Sequence, residues 1–170
     1  MSKHAIWGLP PATGAAPKSG FSLIGVIVAV FILSIGMIGV LDLSQASLRA
    51  ASLSQTRLIA SGLAQEGIEM VRYMRRTQSD WSDWYDAVSS GDYRVQYDNS
   101  SLLPFSETPL KFNAASGLYQ YDSGDNSQFY RKIGLTKISA YEVKVVVEVK
   151  WQRGGAWRNL TAEDRLWNWK

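Results

Sequence analysis

Residues 21–41, FSLIGVIVAVFILSIGMIGVL, hold no charged side chain, and the first charge after them is Asp42. As an α-helix this run rises about 31 Å, close to the thickness of a bilayer's hydrocarbon core. It is apolar on every side, unlike the surface helix of a soluble protein, whose apolar residues form one stripe. A buried helix of a soluble core is the other use for such a run. Beyond Asp42 the helical pattern continues in a different form. Leu48, Ala51, Ile59, Leu63, Gly67, Met70 and Met74 follow one another at spacings of 3, 4 or 8, and no proline interrupts residues 18–103. The pattern predicts one continuous helix over residues 21–76, apolar all round in its first half and amphipathic in its second.

After Arg76 the period changes. TQSDWSDWYDAVSSGDY repeats Ser-Asp-Trp at 79–81 and 82–84. Ser79, Asp80 or Ser82 is placed to N-cap a short helix ending near Gly91. Trp81, Trp84 and Tyr85 would pack that helix onto a sheet, or form an aromatic platform for a carbohydrate. From Tyr93 onward the reading is strands. YRVQY, LKFN and GLYQY are short and turn-bounded, and YEVKVVVEVKW is the strongest. In it Val143, Val145, Val147, Val149 and Trp151 share one face, and Glu142, Lys144, Glu148 and Lys150 the other, with Val146 the one break. Arg153-Gly154-Gly155-Ala156 reads as a hairpin turn, and AWRNLTAEDRLWNW as the returning strand or strand pair. One long helix with a stripe to bury, followed by an antiparallel β-meander with a valine face, predicts an α+β fold.

Composition narrows the chemistry. Charged residues make up 19% of the 170 and hydrophobic ones 46%, which suits a folded chain. Two of the 18 bases, Lys3 and Lys18, precede Phe21, where there is no acid, so the remainder is close to neutral. The basic balance is weak support for nucleic-acid binding, and the tightest cationic group is Arg72, Arg75 and Arg76. There is no cysteine, which removes disulfides, thiolate zinc sites and thiol catalysis. The one histidine, His4, lies in the first twenty residues, so the body has neither a Ser-His-Asp triad nor a histidine metal site. These absences point away from an enzyme and imply no cofactor.

Lys18-Ser19-Gly20 followed by FSLIGVIVAVFIL resembles the prepilin N-terminus of type IV pilins and type II secretion pseudopilins. The stretch SLRAASLSQTRLIASGLAQEGIEMVRYMRR is similar to the amphipathic half of a pilin helix, so the resemblance covers residues 18–76. The resemblance implies that residues 1–20 are a leader, that a prepilin peptidase cuts between Gly20 and Phe21, and that the new N-terminal Phe21 is methylated. It implies that the apolar segment, Phe21 to Leu41, is kept as a membrane anchor and then as filament core. Residues 21–76 would form the helix and residues 77–170 a β-sheet head. Two features depart from the family. The leader is longer than most. Gly25 stands where the family has Glu, a carboxylate thought to meet the N-terminal amine of a neighbouring subunit.

Other chemistry is weaker. Asp122, Asp125 and Asn126 in DSGDNSQ supply oxygen ligands suited to calcium, but their order is not that of an EF-hand loop, and turns require the same residues. Glu66 and Glu69 lie three apart on the helix. Pairing with Arg72 explains them more simply than acid–base catalysis does. The arginine group would serve contacts between subunits, or DNA.

The sequence therefore implies a minor pilin or pseudopilin, processed by prepilin peptidase, which assembles into or initiates a filament and sits at its tip if the loss of the acid at Gly25 matters. Its implied partners are other pilin subunits, the peptidase, an inner-membrane assembly platform and, before assembly, the bilayer. Its implied location is the bacterial inner membrane, with a cytoplasmic N-terminus, and afterwards a periplasmic or extracellular pilus. The alternative is a single-pass anchored binding protein, or a tip subunit that binds DNA or glycan.

Overall fold

A computed structural model describes Gly20 and residues 22–168. The chain divides into two units, Met1–Leu48 and Arg49–Lys170. Helix α1 runs from Leu23 to Thr77, 55 residues, within two residues of the boundaries its pattern predicts. In the first unit its side chains are exposed all round, among them Leu23, Phe31 and Leu33.

In the second unit α1 has a buried face. Thr56, Ala60, Leu63, Ala64, Gly67, Ile68, Val71 and Met74 form it, in the i, i+3, i+4, i+7 pattern of one helix face. This corrects the stripe read from the sequence at its upper end, since Leu48 and Ala51 are exposed. The reason is the reach of the sheet. The guanidinium of Arg153, at the end of the longest hairpin, donates to the Ser52 carbonyl at 3.0 Å and lies 3.3 Å from Thr56 Oγ1. Burial of the helix stripe begins at Thr56, beside this hairpin end.

The remaining elements, in chain order, are helix α2 (Trp81–Ala87) and strands β1 (Gly91–Arg94), β2 (Leu103–Pro104), β3 (Lys111–Asn113), β4 (Leu118–Gln120), β5 (Asp125–Asn126), β6 (Phe129–Ser139), β7 (Glu142–Arg153) and β8 (Ala156–Trp167). The main sheet is antiparallel with order β2-β1-β6-β7-β8, so β6, β7 and β8 are the meander the sequence implied. A second, separate sheet has the order β4-β3-β5, which the sequence pattern does not distinguish from the meander. Gly154 (φ +58°) and Gly155 (φ +78°) make the β7–β8 turn. Two consecutive positive φ values define a type I′ turn, whose twist matches the flanking strands.

The core joins the helix face to the valine face. Val143, Val145, Val147 and Val149 are at most 1% exposed, and Ile133, Leu135, Phe129 and Leu110 lie beside them. Each such valine contributes roughly 1.5–3 kcal/mol on burial. Gly67 sets the closest approach of helix to sheet. A Cβ there would sit 2.9 Å from Val147 Cγ1, inside contact distance. Helix α2 ends at Ala87 with Val88 as its C-cap, short of the expected Gly91, which instead opens β1. Asp80 holds the N-cap position but makes no side-chain capping bond.

Candidate functional site

The first turns of α1 carry the strongest sequence signal. Helical hydrogen bonding starts with Val26 N–H donating to the Ser22 carbonyl at 3.2 Å. Gly20 is exposed. Phe21 lies outside the described residues, and with it the geometry of the Gly20–Phe21 bond. The first turn of the helix contains no acid. At Gly25 a Cβ would meet nothing within 4 Å, and the same holds at Gly36 and Gly39. The subunit itself therefore leaves space for a side chain at each of these positions. Ser34 satisfies its hydroxyl inside the helix by donating to the Val30 carbonyl at 2.8 Å. Among the described residues, α1 is the one helix long and apolar enough to cross a membrane, judged by length and composition.

The other candidates fall elsewhere. Asp122 accepts a hydrogen bond from Gln96 Nε2, while Asp125 and Asn126 form β5 and pair with Phe112 and Lys111 of β3. The turn before β5 requires Gly124, at φ +112°, where a Cβ would lie 2.5 Å from the Phe112 carbonyl oxygen. Among the described residues no group of three or more His, Cys, Asp or Glu side chains is placed to hold a metal ion. Trp81 and Trp84 are 8% and 3% exposed, and Trp81 Nε1 donates to the Ala140 carbonyl at 2.8 Å. Trp81 ties α2 to the β6–β7 turn, and both indole rings are buried in the core rather than open as a platform for a sugar.

The helix charges pair differently from the sequence expectation. Glu69 holds Arg72 at 2.6 Å as predicted, and Arg72 Nε also donates to Asp164 of β8 at 2.8 Å. The bond to Asp164, and after it the bond to Glu69, hold the Arg72 guanidinium above even its ordinary high range. Glu66 does not pair with Arg72. Six residues turn a helix by about 600°, which places the two on different faces. Glu66 Oε1 instead lies 3.0 Å from Nη1 of Arg131, an ion pair whose angle is poor for a hydrogen bond.

Arg131 is the residue the sequence reading missed. Its side chain is wholly buried between α1 and the sheet. Nη1 donates to the Leu63 carbonyl at 3.2 Å and Nη2 to the Val95 carbonyl at 2.6 Å, while Nε has no partner among the described residues. The Tyr121 hydroxyl donates to the Arg131 carbonyl at 3.2 Å, and burial pushes that phenol above its ordinary pKa. A signal was present. In FYRKIGL, Arg131 occupies the same alternate row as Phe129, Ile133 and Leu135, all core residues. The cluster ties helix, β6 and the segment after β1 together.

Residues 16–41 match the family model described as the prokaryotic N-terminal methylation motif. The chain carries the type IV prepilin-type signature. The matched span contains Gly20, Phe21 and Gly25. No curated protein and no solved structure matches the chain. The prepilin-type signature points to a pilin- or pseudopilin-like structural subunit rather than an enzyme, and in general implies processing by prepilin peptidase and assembly with other subunits. The long helix packed on an antiparallel sheet is the pilin-like α+β arrangement that goes with the signature.

Proposed function

We propose that the protein is a minor type IV pilin or pseudopilin, cut between Gly20 and Phe21, methylated on Phe21, and inserted into or used to start a filament. The observation that carries this reading is the methylation motif at residues 16–41 running directly into a helix whose apolar first half is exposed and whose second half lies under a sheet. The exposed half has two successive environments in this reading, first the inner membrane and then the packed centre of a filament. Replacing Gly20 with tryptophan is expected to leave a full-length protein in the membrane fraction, because the peptidase needs a small residue before the cut. Normal maturation of that variant would contradict the reading and favour a single-pass anchored binding protein.

Gly25 supports a position at the filament tip. A subunit without the family's carboxylate offers no counter-charge to a neighbour's amine, and an uncompensated buried charge costs about 3–5 kcal/mol. Repeated along a shaft this defect accumulates. At a tip it occurs once. Changing Gly25→Glu is expected to leave filament number and length near wild type, since no amine at a tip depends on the acid. Increased incorporation along the shaft, read by immunogold labelling, would show instead a repeating subunit that has lost its glutamate.

A further inference from the structure

The two edges of the main sheet are built differently. One edge is β2, two residues ending in Pro104, a strand too short and too poor in donors to accept a partner. The other edge is β8, twelve residues without proline or glycine, paired to β7 in unbroken register from Glu142↔Trp167 to Arg153↔Ala156. Among the described residues its outer edge has no strand beside it. Natural sheets blunt such edges with bulges, prolines, short strands or charges; β8 has none of the first three, and its charges, Arg158, Glu163, Asp164 and Arg165, are of both signs.

Register with β7 assigns the faces of β8. Arg158, Leu160, Ala162, Asp164 and Leu166 share the face that α1 covers, because they oppose Trp151, Val149, Val147, Val145 and Val143. Asn159, Thr161 and Glu163 point the other way. We propose that β8 is a self-docking edge, pairing antiparallel with β8 of a second copy in a register centred on Thr161. In that register Arg158 opposes Asp164, Asn159 opposes Glu163, Leu160 opposes Ala162, and Thr161 opposes its own counterpart. By two-fold symmetry each contact occurs twice, except the Thr161 pair on the axis, which occurs once. Arg158 is exposed and has no partner within its own chain among the described residues. Asp164 receives Arg72 on Oδ2, which leaves Oδ1 for a second donor. Shifting the register by two residues removes the match. In one direction Arg158 faces Ala162, and in the other Leu160 faces Asp164. Opposite charges and amide–carboxylate pairs across antiparallel strands stabilise, and like charges destabilise.

The pairing has a directional consequence. From Thr56 to Gly67 the helix advances about 17 Å. The strand contacts at those points, Arg153 and Val147, lie about 20 Å apart. The helix therefore runs nearly along β7 and β8 in this unit. Antiparallel β8 strands set the two helices in opposite directions.

The pairing itself is testable without cleavage or filaments. The chain has no cysteine, so Thr161→Cys introduces a single thiol. Directly opposed residues have Cα atoms about 4.5–5.5 Å apart, within disulfide reach. Full-length Thr161→Cys protein in detergent, oxidised with copper-phenanthroline and run on a non-reducing gel, is expected to form a covalent dimer. Ser116→Cys, in the exposed β3–β4 turn, is expected to stay monomeric. Adding Arg158→Glu should slow the Thr161→Cys dimer about tenfold, because two opposite-charge contacts become like-charge ones. Dimerisation of Thr161→Cys no faster than Ser116→Cys, or unaffected by Arg158→Glu, would overturn the proposal. Failure of the leader to be cut would leave this result unchanged, so the two readings fail separately.

Discussion

Arg131→Ala is expected to destabilise the head by about 3–5 kcal/mol, because two carbonyls under the helix lose their donors and a large core side chain is removed. The substitution leaves the Leu63 and Val95 carbonyls without their donors and opens a cavity beneath Gly67. Against a total stability of about 5–15 kcal/mol for a domain, this is a large fraction. Urea denaturation followed by tryptophan fluorescence reads it, since Trp81, Trp84 and Trp151 are all in the core. Arg131→Met is the informative partner variant. It fills much of the same volume but, like alanine, leaves both carbonyls and Glu66 without their partner, so it should recover only the cavity part of the loss. A cost below about 1 kcal/mol for alanine would mean that the buried guanidinium is not what joins helix and sheet.

A fragment beginning at residue 45 should be soluble and folded, whereas the full chain should require detergent. The fragment keeps the whole buried stripe from Thr56 to Met74 and the Arg153 contacts at Ser52, and it loses the exposed apolar run up to Leu43. Far-UV circular dichroism should show mixed helix and strand, and sedimentation a small soluble species. A fragment starting after Thr56 should be less stable, because the anchor for Arg153 is gone. If the longer fragment aggregates or lacks structure, the boundary between apolar span and head has been drawn in the wrong place.

These two predictions draw on different parts of the sequence signal. The apolar span was legible because 21 residues without a charge leave few alternatives, and β7 because its valines alternate with charges over a whole strand. The Gly154–Gly155 turn was legible for a local reason, the positive φ that both positions need. The helix stripe was legible in kind but not in phase. Leu48 and Ala51 fit the stripe by residue type, whereas its actual limit is where the β7–β8 hairpin ends, a tertiary fact. The small sheet β4-β3-β5 was hidden because two- and three-residue strands have too little period to register. Arg131 was hidden by its chemistry. Its position in the inward row of β6 was visible, but a charged residue there is read as surface unless its partner is known, and Glu66 lies 65 positions earlier. The functional end of the chain shows the reverse. Gly20, Phe21 and Gly25 stand out in the sequence alone, because the role proposed for them is set by what a peptidase and a neighbouring subunit would meet rather than by packing within the chain.

The most direct test of the account is the N-terminus of the protein recovered from cells. Intact mass with N-terminal fragment analysis is predicted to give a chain that begins at Phe21, lacks residues 1–20, and carries one added methyl group on the terminal amine. A chain still beginning at Met1, or one cut beyond Leu41 so that the apolar helix is lost, would contradict it.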